Sequence, residues 1–483
     1  MAHRRYAIAT LCLCQSAQYF SVCACYAYLG FLAVDLGWQT SIDRAGFVSG
    51  FIGAAMPLAR VFTAYPWGFA ADRIGRRRVV LFSMFSLMLG HITFGFARPL
   101  WLAIGARCVL MGGFNGWPTL PGLLAREIGG ASEERRILGL IYGCSGLAAL
   151  LAPAVGATLY GALGLRFPAL APSLVGAALS GSALVAAALF IPETRPTTNP
   201  QLLSEPLQAE AHAEAAACSD SSPLPPGEGT TTAAIPASVP DAPDHAATLC
   251  ASVCQRPLPV LILLRTGLGL IEWAVNDVFP LYVIATRARG GLELPRWQLG
   301  VLLLAATCAP LVYQFTIMGW VGTSLGNARV LPLGFALQAL ALLAMPLCRP
   351  VPFTAALPLA LYDIAFTTTF AALVSAFNTT VQRHTAQRGA INGLATSCMA
   401  VAMAVGPAAA SPAFAAAIHA LPPRNWTTGG EAGSDLVLSE LEELLLNGVG
   451  LVFGGFALLL LVMALVACVI AGEVCAIDRA REG

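Results

Sequence analysis

The sequence has no lysine and few charged residues of any kind. All 27 positions counted as lysine or arginine are arginine, and charged residues make up only 11% of the 483 residues. A soluble domain carries about 25% charged residues because its surface must face water. The shortage of charge therefore excludes an ordinary soluble protein. The net charge of +1 gives no reason to expect nucleic acid as a partner.

The sequence also lacks the patterns of several functional classes. It has no G-x-x-x-x-G-K-[ST] loop, so ATP-driven pumping has no support. No set of nucleophile and base predicts an enzyme, and no cofactor is expected. The fourteen cysteines lie mostly in apolar runs, where thiols behave as small hydrophobic groups, and no histidine cluster accompanies them. No metal site is predicted.

Long apolar runs are abundant. Hydrophobic residues make up 57% of the chain, and the mean hydropathy is +0.72. A membrane-spanning helix needs about 20 mainly apolar residues. Twelve segments meet this requirement: 6–34, 45–70, 79–97, 99–125, 137–163, 168–191, 257–285, 298–321, 330–348, 352–380, 389–420 and 443–472. The sequence thus predicts an all-α, multi-pass membrane protein with twelve transmembrane helices and lipid as its surroundings.

A polar stretch divides the twelve segments into two sets of six. Residues 192–256 are rich in proline, alanine, serine and threonine, a composition typical of a disordered linker. The predicted domains are an N-terminal bundle (1–191), this linker, a C-terminal bundle (257–472) and a tail (473–483). Arginine is about twice as frequent on the side that carries both termini, which predicts that termini, linker and tail are cytosolic. The membrane is expected to be the plasma membrane or an internal one such as that of the vacuole.

The two sets of six are related in sequence. Small residues and a proline in the fifth segment recur in the eleventh at a constant offset of 254 positions. The first copy is Gly139, Ala148, Ala152, Pro153, Gly156 and Ala157; the second is Gly393, Ala402, Gly406, Pro407, Ala410 and Ser411. Two repeat-related bundles joined by a long linker are typical of a carrier whose solute site lies between the halves, near the membrane midplane.

Three motifs resemble those of one transporter family. Residues 68–78 read G-F-A-A-D-R-I-G-R-R-R, which is similar to the G-x-x-x-D-R-x-G-R-R signature of the major facilitator superfamily. The pattern at 139–157 resembles the antiporter-type motif of that superfamily, and residues 191–195 resemble its P-E-[ST] motif. The resemblance spans both sets of six and implies a superfamily transporter of the drug:proton antiporter type.

Within this superfamily the sequence resembles most the zinc-induced-facilitator-like group. The stretches that carry this likeness are 67–68, 115–116, 272–282, 311–314 and 388–393. The Cys-Pro-Gly-Cys motif and the histidine-rich central loop of that group are absent, so the resemblance does not imply zinc as the solute. Arg107 also precedes Gly112 by five residues, whereas the arginine of the family's fourth helix precedes its glycine by four.

The resemblance implies roles for the signature and the small-residue motifs. The gating motif comprises Gly68, Asp72, Arg73, Gly75 and Arg76. In it, Asp72 faces the positive N-terminal end of helix eleven near Gly389 and latches the halves, while Arg73 and Arg76 pair with loops. The alternative for the arginines is anchoring at the cytosolic surface.

The helix-packing motif comprises Gly139, Pro153, Gly156, Gly406 and Pro407, at the interface between the halves. Its alternative is ordinary tight packing.

Charged residues inside the apolar segments are the strongest clue to function. A charge at the bilayer centre costs about 2.5–3.5 kcal/mol on insertion scales, so it is seldom without a role. A carboxyl group removed from water binds a proton more readily, which suits a proton carrier. The proton-coupling candidates are Glu272, Asp277 and Asp363. For Glu272 and Asp363 the alternative is a static ion pair with Arg60, Arg107 or Arg265, and for Asp277 it is an interfacial position.

Other polar groups within the segments are candidates for lining a solute cavity. They are Gln15, Tyr19, Arg60, Asn115, Tyr142, Arg265, Asn276, Tyr313 and Gln314. The alternative for each is a hydrogen bond between helices. The sequence therefore predicts a monomeric, proton-coupled secondary transporter that works by alternating access. The drug:proton antiporter resemblance implies efflux, while the residues themselves leave uptake and efflux open. Its partners would be protons and a small solute, namely an organic anion, a drug-like compound or a metal or its chelate. The alternative is a non-transporting membrane receptor or scaffold on the same fold.

Overall fold

Every regular element of the computed structural model is a helix within the residues it describes, which are 2–193, 257–348, 351–384, 388–420 and 448–482. The predicted linker lies outside these ranges except for its first two residues. The first five residues of the twelfth predicted segment, 443–447, also lie outside them. The all-α prediction is confirmed for the described chain.

The first half of the chain forms seven α-helices and one π-helix. The α-helices are α1 (Ala2–Cys23), α2 (Leu29–Asp35), α3 (Gly46–Ile74), α4 (Arg76–Gly95), α5 (Leu100–Gly105), α6 (Pro121–Leu159) and α7 (Leu170–Phe190). The π-helix spans Ala106–Gly113 and continues α5 directly. Within this half, α1 packs on α6 and α7, and α4 packs on α7.

The described part of the second half forms seven α-helices. They are α8 (Leu258–Ile284), α9 (Arg296–Thr316), α10 (Met318–Leu325), α11 (Asn327–Ala344), α12 (Ala356–His384), α13 (Arg388–Ala420) and α14 (Gly448–Glu482). Here α8 packs on α13, and α11 packs on both α12 and α14. The helix α14 continues ten residues beyond the predicted end of its apolar segment, because helical backbone does not have to stop where apolar sequence stops.

Ten helices of the described chain are long and apolar enough to cross a membrane. The remaining two predicted spans, 6–34 and 99–125, are present as interrupted helices. A turn at residues 24–28 separates α1 from α2, and the π-helix and a loop interrupt the other span before α6 begins. Ten continuous and two interrupted spans together correspond to the twelve predicted segments.

The π-helix explains the spacing of Arg107 and Gly112. The Phe114 N–H donates to the carbonyl of Val109, five residues earlier, at 2.8 Å. A π-turn holds one residue more than an α-turn, so residues five apart come onto the same side. The extra residue before Gly112 is therefore accommodated by the backbone, and Arg107 lies fully inside the protein with 1% exposure.

The polar stretch between the fourth and fifth predicted segments is helical. A loop is expected between residues 125 and 137, but Pro121–Leu159 form one continuous helix of 39 residues. Hydropathy locates only the part of a helix that faces lipid. Residues 126–136 are polar, yet they contain no proline or other helix-breaking pattern except two adjacent glycines.

Both ends of the described chain lie on the same side of the bundle, called here the terminal face. The Arg4 guanidinium donates to the carbonyls of Ile128 and Gly129 at 3.0 and 2.9 Å. The last helix, α14, starts beside Ala417 at the opposite end of the bundle, here the opposite face, and runs back toward the terminal face. Whether the terminal face meets the cytosol stays a prediction.

The two halves meet most closely where α3 crosses α13. A Cβ atom added at Gly46 would overlap the carbonyl oxygen of Ser411, and one at Gly50 would overlap that of Pro407. Only glycine permits this approach, because the neighbouring atoms belong to the backbone and cannot rotate away. The contact lies toward the opposite face. A second contact joins α6 to α9, where an added Cβ at Gly300 would meet Thr158.

The repeated small residues make close contacts mostly within each half. A Cβ at Gly156 would overlap the Ala24 carbonyl, and one at Gly406 would lie 2.7 Å from the Leu270 carbonyl. Pro153 lies inside α6, and Pro407 in α13 supplies the carbonyl next to Gly50. Gly139 differs, since none of the described atoms lies within 4 Å of an added Cβ there.

Candidate transport site

Polar side chains from both halves converge at mid-height between the bundles. This central cluster consists of Tyr19, Arg60, Tyr142, Arg265, Glu272, Asn276, Tyr362 and Asp363. Tyr19 of α1 lies within electrostatic range of both Arg60 of α3 and Arg265 of α8. Tyr142 of α6, whose side chain is 54% exposed, lies within range of Arg265. The cluster therefore lines a space that both halves enclose.

The two arginines of the cluster carry charge that no carboxylate of the described chain neutralises. The Nε and Nη2 atoms of Arg60 and the Nε atom of Arg265 are inaccessible and have no hydrogen-bond acceptor among the described residues. Arg265 also lies 5.9 and 5.6 Å from the ring centroids of Phe370 and Phe377. Cation–π contacts of this kind stabilise a guanidinium group without cancelling its charge.

The carboxylates of the cluster form a pair of their own. The Asn276 amide donates to Glu272 Oε1 at 2.8 Å, and the Tyr362 hydroxyl lies beside the same carboxylate. Tyr362 and Asp363 of α12 lie within electrostatic range of Glu272. Both carboxylates keep partial exposure. A static ion pair with Arg60, Arg107 or Arg265 does not occur within the described part of the chain.

Asp277 is separate from this pair. Its side chain is fully buried, and Ser411 of α13 donates to its Oδ2 at 2.5 Å. The side chain points into the α8–α13 contact, and an interfacial depth in the membrane stays the alternative for this residue. Arg107 lies within electrostatic range of Asp277 from the other half and donates to the Ile52 and Ser21 carbonyls at 2.9 and 3.3 Å.

Two of the cavity candidates form hydrogen bonds inside the first half instead. The Trp117 indole donates to Gln15 Oε1 at 2.7 Å, and the Asn115 amide donates to Gln18 Oε1 at 2.6 Å. Gln15, Gln18 and Asn115 are each at most 4% exposed. These bonds hold α1 to the loop that follows the π-helix, which is the alternative considered for such groups.

Two further candidates lie on α9 at the edge of the cluster. The hydroxyl groups of Tyr313 and Thr368 are hydrogen-bonded at 2.7 Å, which ties α9 to α12. The Gln314 amide nitrogen lies 3.3 Å from where a Cβ at Gly146 would sit, so it faces α6 across the boundary between halves. Its Oε1 atom is buried and accepts no hydrogen bond from the described residues.

Ionic contacts close the opposite face between the halves. Asp43 accepts hydrogen bonds from the Thr286 N–H at 3.0 Å and the Thr286 hydroxyl at 3.1 Å, and it lies 3.6 Å from Arg289. We call these three residues the opposite-face latch. Beside them, Asp35 accepts a hydrogen bond from Arg296 at 2.7 Å and one from Tyr160 at 2.9 Å.

The signature residues lie at the terminal face. Gly75 has φ +98°, and a Cβ there would overlap the carboxylate of Glu193, so the signature touches the P-E-T motif. Arg76 forms an ion pair with Glu127, and the Arg73 guanidinium lies 4.2 Å from the Phe69 ring centroid. These contacts lie within the first half.

The predicted latch between Asp72 and the region of Gly389 lies outside the described side chains. At Gly68, one turn earlier on α3, no described atom lies within 4 Å of an added Cβ. The close glycine contacts of α3 with the second half are thus concentrated toward the opposite face.

Comparison with known proteins decides the family. The family model of the Major Facilitator Superfamily matches residues 11–407, which is most of the chain. The chain belongs to the major facilitator superfamily. It is accordingly an integral, multi-pass membrane protein of a transporter family, and the resemblance inferred from its motifs is confirmed.

Curated relatives of this superfamily member include plant transporters. It is 26% identical over 412 residues to a probable peptide/nitrate transporter of Arabidopsis thaliana, covering 79% of this chain and 78% of the relative. It is 25% identical over 465 residues to the protein ZINC INDUCED FACILITATOR 1 of the same plant, covering 89% and 87%. Relatives from the predicted group are therefore found.

Solved structures show the same fold. A bacterial homologue of the human lysosomal transporter Spinster, solved in an inward-facing and unoccupied conformation, superposes with a TM-score of 0.66 at 11% identity. The match covers 98% of both chains. At this identity the comparison shows that this superfamily member has the same fold.

Sequence reasoning missed Tyr362 and the opposite-face latch. Tyr362 is a polar aromatic residue directly beside Asp363 in an apolar segment, so its position was a usable signal. Asp43 and Thr286 are 243 positions apart, and both lie between apolar segments, where polar residues are ordinary. No local pattern in this superfamily member marks them as partners.

Proposed function

We propose that this superfamily member is a proton-coupled secondary transporter that moves a small solute by alternating access. The observation that carries the proposal is the Glu272–Asp363 pair, which lines the central space without an arginine partner in the described chain. A carboxylate pair at mid-membrane is costly unless it binds a proton or another ligand. Reversible protonation gives this pair a role that a static ion pair would not.

Proton binding at this pair can be communicated to a solute through α8. Two carboxylates close together repel each other when both are ionised, so they hold a shared proton readily. Arg265 lies seven residues before Glu272, about 10 Å along the helix axis and on the same side. A change of charge at Glu272 therefore alters the field at a guanidinium group that faces the same central space.

Alternating access has support from the contacts between halves. The opposite-face latch and the glycine contacts of α3 close one end of the central space. Transport in this scheme requires these contacts to separate while the terminal face closes, as two rigid halves rock about the central site. A polar latch suits this motion because water can take over its hydrogen bonds when it opens.

Flux in liposomes tests the proposal. We expect the purified full-length protein, reconstituted into liposomes with an imposed pH gradient, to move at least one solute class among organic anions, amphipathic drugs and metal ions. The flux should saturate with solute and vanish when a protonophore collapses the gradient. If every transported solute class crossed at a rate that does not depend on the pH gradient, proton coupling would be contradicted. Absence of any flux would favour a receptor or scaffold.

A further inference from the structure

We infer that the solute is a small organic anion whose acidic group binds between Arg60 and Arg265, one guanidinium group from each half. This inference rests on the proposed transport function and adds the chemical class of the solute. It depends on the two unpaired positive charges of the central cluster, which an anionic solute would neutralise and a neutral or cationic solute would not.

The argument begins with the unused hydrogen-bond donors of the two arginines. Arg60 has two inaccessible N–H-bearing nitrogens and Arg265 has one that find no acceptor among the described residues. A buried donor without an acceptor is costly, and more so when it belongs to a charged group. Tyr19 lies within electrostatic range of both arginines, but a neutral hydroxyl does not balance two positive charges.

The carboxylates of the protein are engaged elsewhere. Glu272 is hydrogen-bonded to Asn276 and is paired with Asp363, and Asp277 is hydrogen-bonded to Ser411. None of them forms an ion pair with Arg60 or Arg265 in the described chain. The two guanidinium groups therefore keep their charge available to a ligand, and both arginine residues are partly exposed. A carboxylate, phosphonate or sulfonate matches the planar donor fork of arginine.

A metal ion or an organic cation meets the opposite situation. Such a ligand would approach two positive groups, and in a space of low dielectric the repulsion is larger than in water. The cluster's own carboxylates do not reverse this, because a pair that shares a proton carries less negative charge than two ionised groups. The field near Arg60 and Arg265 thus selects for negative ligands.

The surroundings of Arg265 indicate an apolar body for the anion. The ring centroid of Phe370 lies 5.9 Å from its guanidinium carbon, and Phe366 stacks on Phe370 with centroids 5.8 Å apart; both phenylalanines are partly exposed. Across the cluster, Tyr142 exposes more than half of its side chain. Solute sites commonly combine a few oriented polar groups with aromatic walls. An aromatic or aliphatic carboxylate fits this combination.

The placement of one arginine on each half also links binding to motion. A ligand held by Arg60 of α3 and Arg265 of α8 bridges the halves, so its affinity depends on their separation. A ligand changes a conformational equilibrium only through such a difference in affinity. The anion would thereby favour the conformation in which both guanidinium groups reach it.

Binding by matched probes tests this inference on the full-length protein in lipid nanodiscs. The probes are 2-naphthoate, phenylacetate and hexanoate, each with its amide and its amine of the same carbon skeleton, measured by thermal stabilisation and thermophoresis. At least one carboxylate should bind at least about tenfold more tightly than its amide and amine, since a hydrogen bond to a charged group contributes this much. Arg60→Gln and Arg265→Gln should each weaken it at least about tenfold, and Arg265→Lys should weaken it less than Arg265→Gln.

The matched control is Arg166→Gln. Arg166 is exposed in the loop before α7 and, like Arg265, lies over a phenylalanine ring, with its guanidinium carbon 5.7 Å from the Phe167 centroid. Its replacement should leave carboxylate binding unchanged. Equal thermal unfolding of all the variants without ligand would confirm that lost binding is not lost folding.

Several outcomes would overturn the inference. They are failure of all three carboxylates to bind, binding of an amine as tight as that of its carboxylate, and binding unchanged in both glutamine variants. The flux assay separates this failure from failure of the proposed function. A pH-driven flux of a cation that does not need Arg60 or Arg265 would refute the anion site and leave the transporter standing. Carboxylate binding that depends on the two arginines, without any gradient-driven flux, would support the anion site and refute the transporter.

Discussion

Replacement of Glu272 by glutamine is expected to abolish accumulation of solute against its gradient. A difference of one pH unit supplies about 1.4 kcal/mol per proton, which corresponds to about tenfold accumulation for one coupled proton. Glutamine keeps the size of the side chain and an oxygen for the Asn276 amide, 2.8 Å from Glu272 in the wild type. It cannot bind and release a proton. The accumulation ratio should therefore fall from about ten to about one.

The measurement is solute accumulation in proteoliposomes at a fixed pH difference, with downhill exchange measured in parallel. Downhill exchange should persist in Glu272→Gln, because the variant resembles the protonated state. Glu473→Gln is the matched control, since Glu473 is an exposed carboxylate near the end of α14. If Glu272→Gln accumulates solute like the wild type and Asp363→Asn does not, the proton-binding residue of the pair is Asp363. Wild-type accumulation by both variants would refute the carboxylate pair as the proton site.

Asp43→Asn is expected to open the opposite face. Asp43 accepts hydrogen bonds from the Thr286 N–H and hydroxyl and lies 3.6 Å from Arg289, and all three groups belong to the other half or its loop. Hydrogen bonds to a charged group contribute about 1.5–3 kcal/mol, so losing the charge should shift the equilibrium by about tenfold to 100-fold toward separation at this face. The contact is largely buried, which limits screening by salt.

Hydrogen–deuterium exchange measures this shift without labels. Exchange should accelerate in residues 42–50 and 284–296, which form the contact, and not in α4, which packs within the first half. Glu293→Gln is the matched control, because Glu293 is an exposed carboxylate that accepts a hydrogen bond from the Arg287 N–H within its own loop. Unchanged exchange at 42–50 and 284–296 in Asp43→Asn would show that the latch does not hold this face closed.

The positions of the spanning helices could be predicted from sequence because lipid fixes their length. Each apolar segment must satisfy its backbone hydrogen bonds internally over the same thickness, so hydropathy alone locates it. The breaks at 24–28 and before α6 could not be predicted. Tertiary contacts lie beside these breaks, since Arg107 donates from the π-helix to backbone carbonyls of two other helices. A sliding average over sequence contains no information on such partners.

The candidate site was predictable only in part. Arg60, Arg265, Glu272 and Asp363 could be found because a charge in an apolar segment is conspicuous. The sequence could not separate Asn115, which bonds within the first half, from Asn276, which bonds to Glu272 in the cluster. That distinction depends on how each helix is rotated in the bundle, which packing decides and local sequence does not.

The most direct test of the proposed alternating access is a pair of spin-label distances measured by double electron–electron resonance. The protein is reconstituted, and its native cysteines are replaced. One spin-label pair joins residues 40 and 287 at the opposite face, and the other joins residues 78 and 329 toward the terminal face; all four positions are exposed. Lowering the pH or adding a bound carboxylate should lengthen one distance and shorten the other together. Two distances that stay fixed, or that change in the same direction, would contradict a carrier that opens its central site to one side at a time.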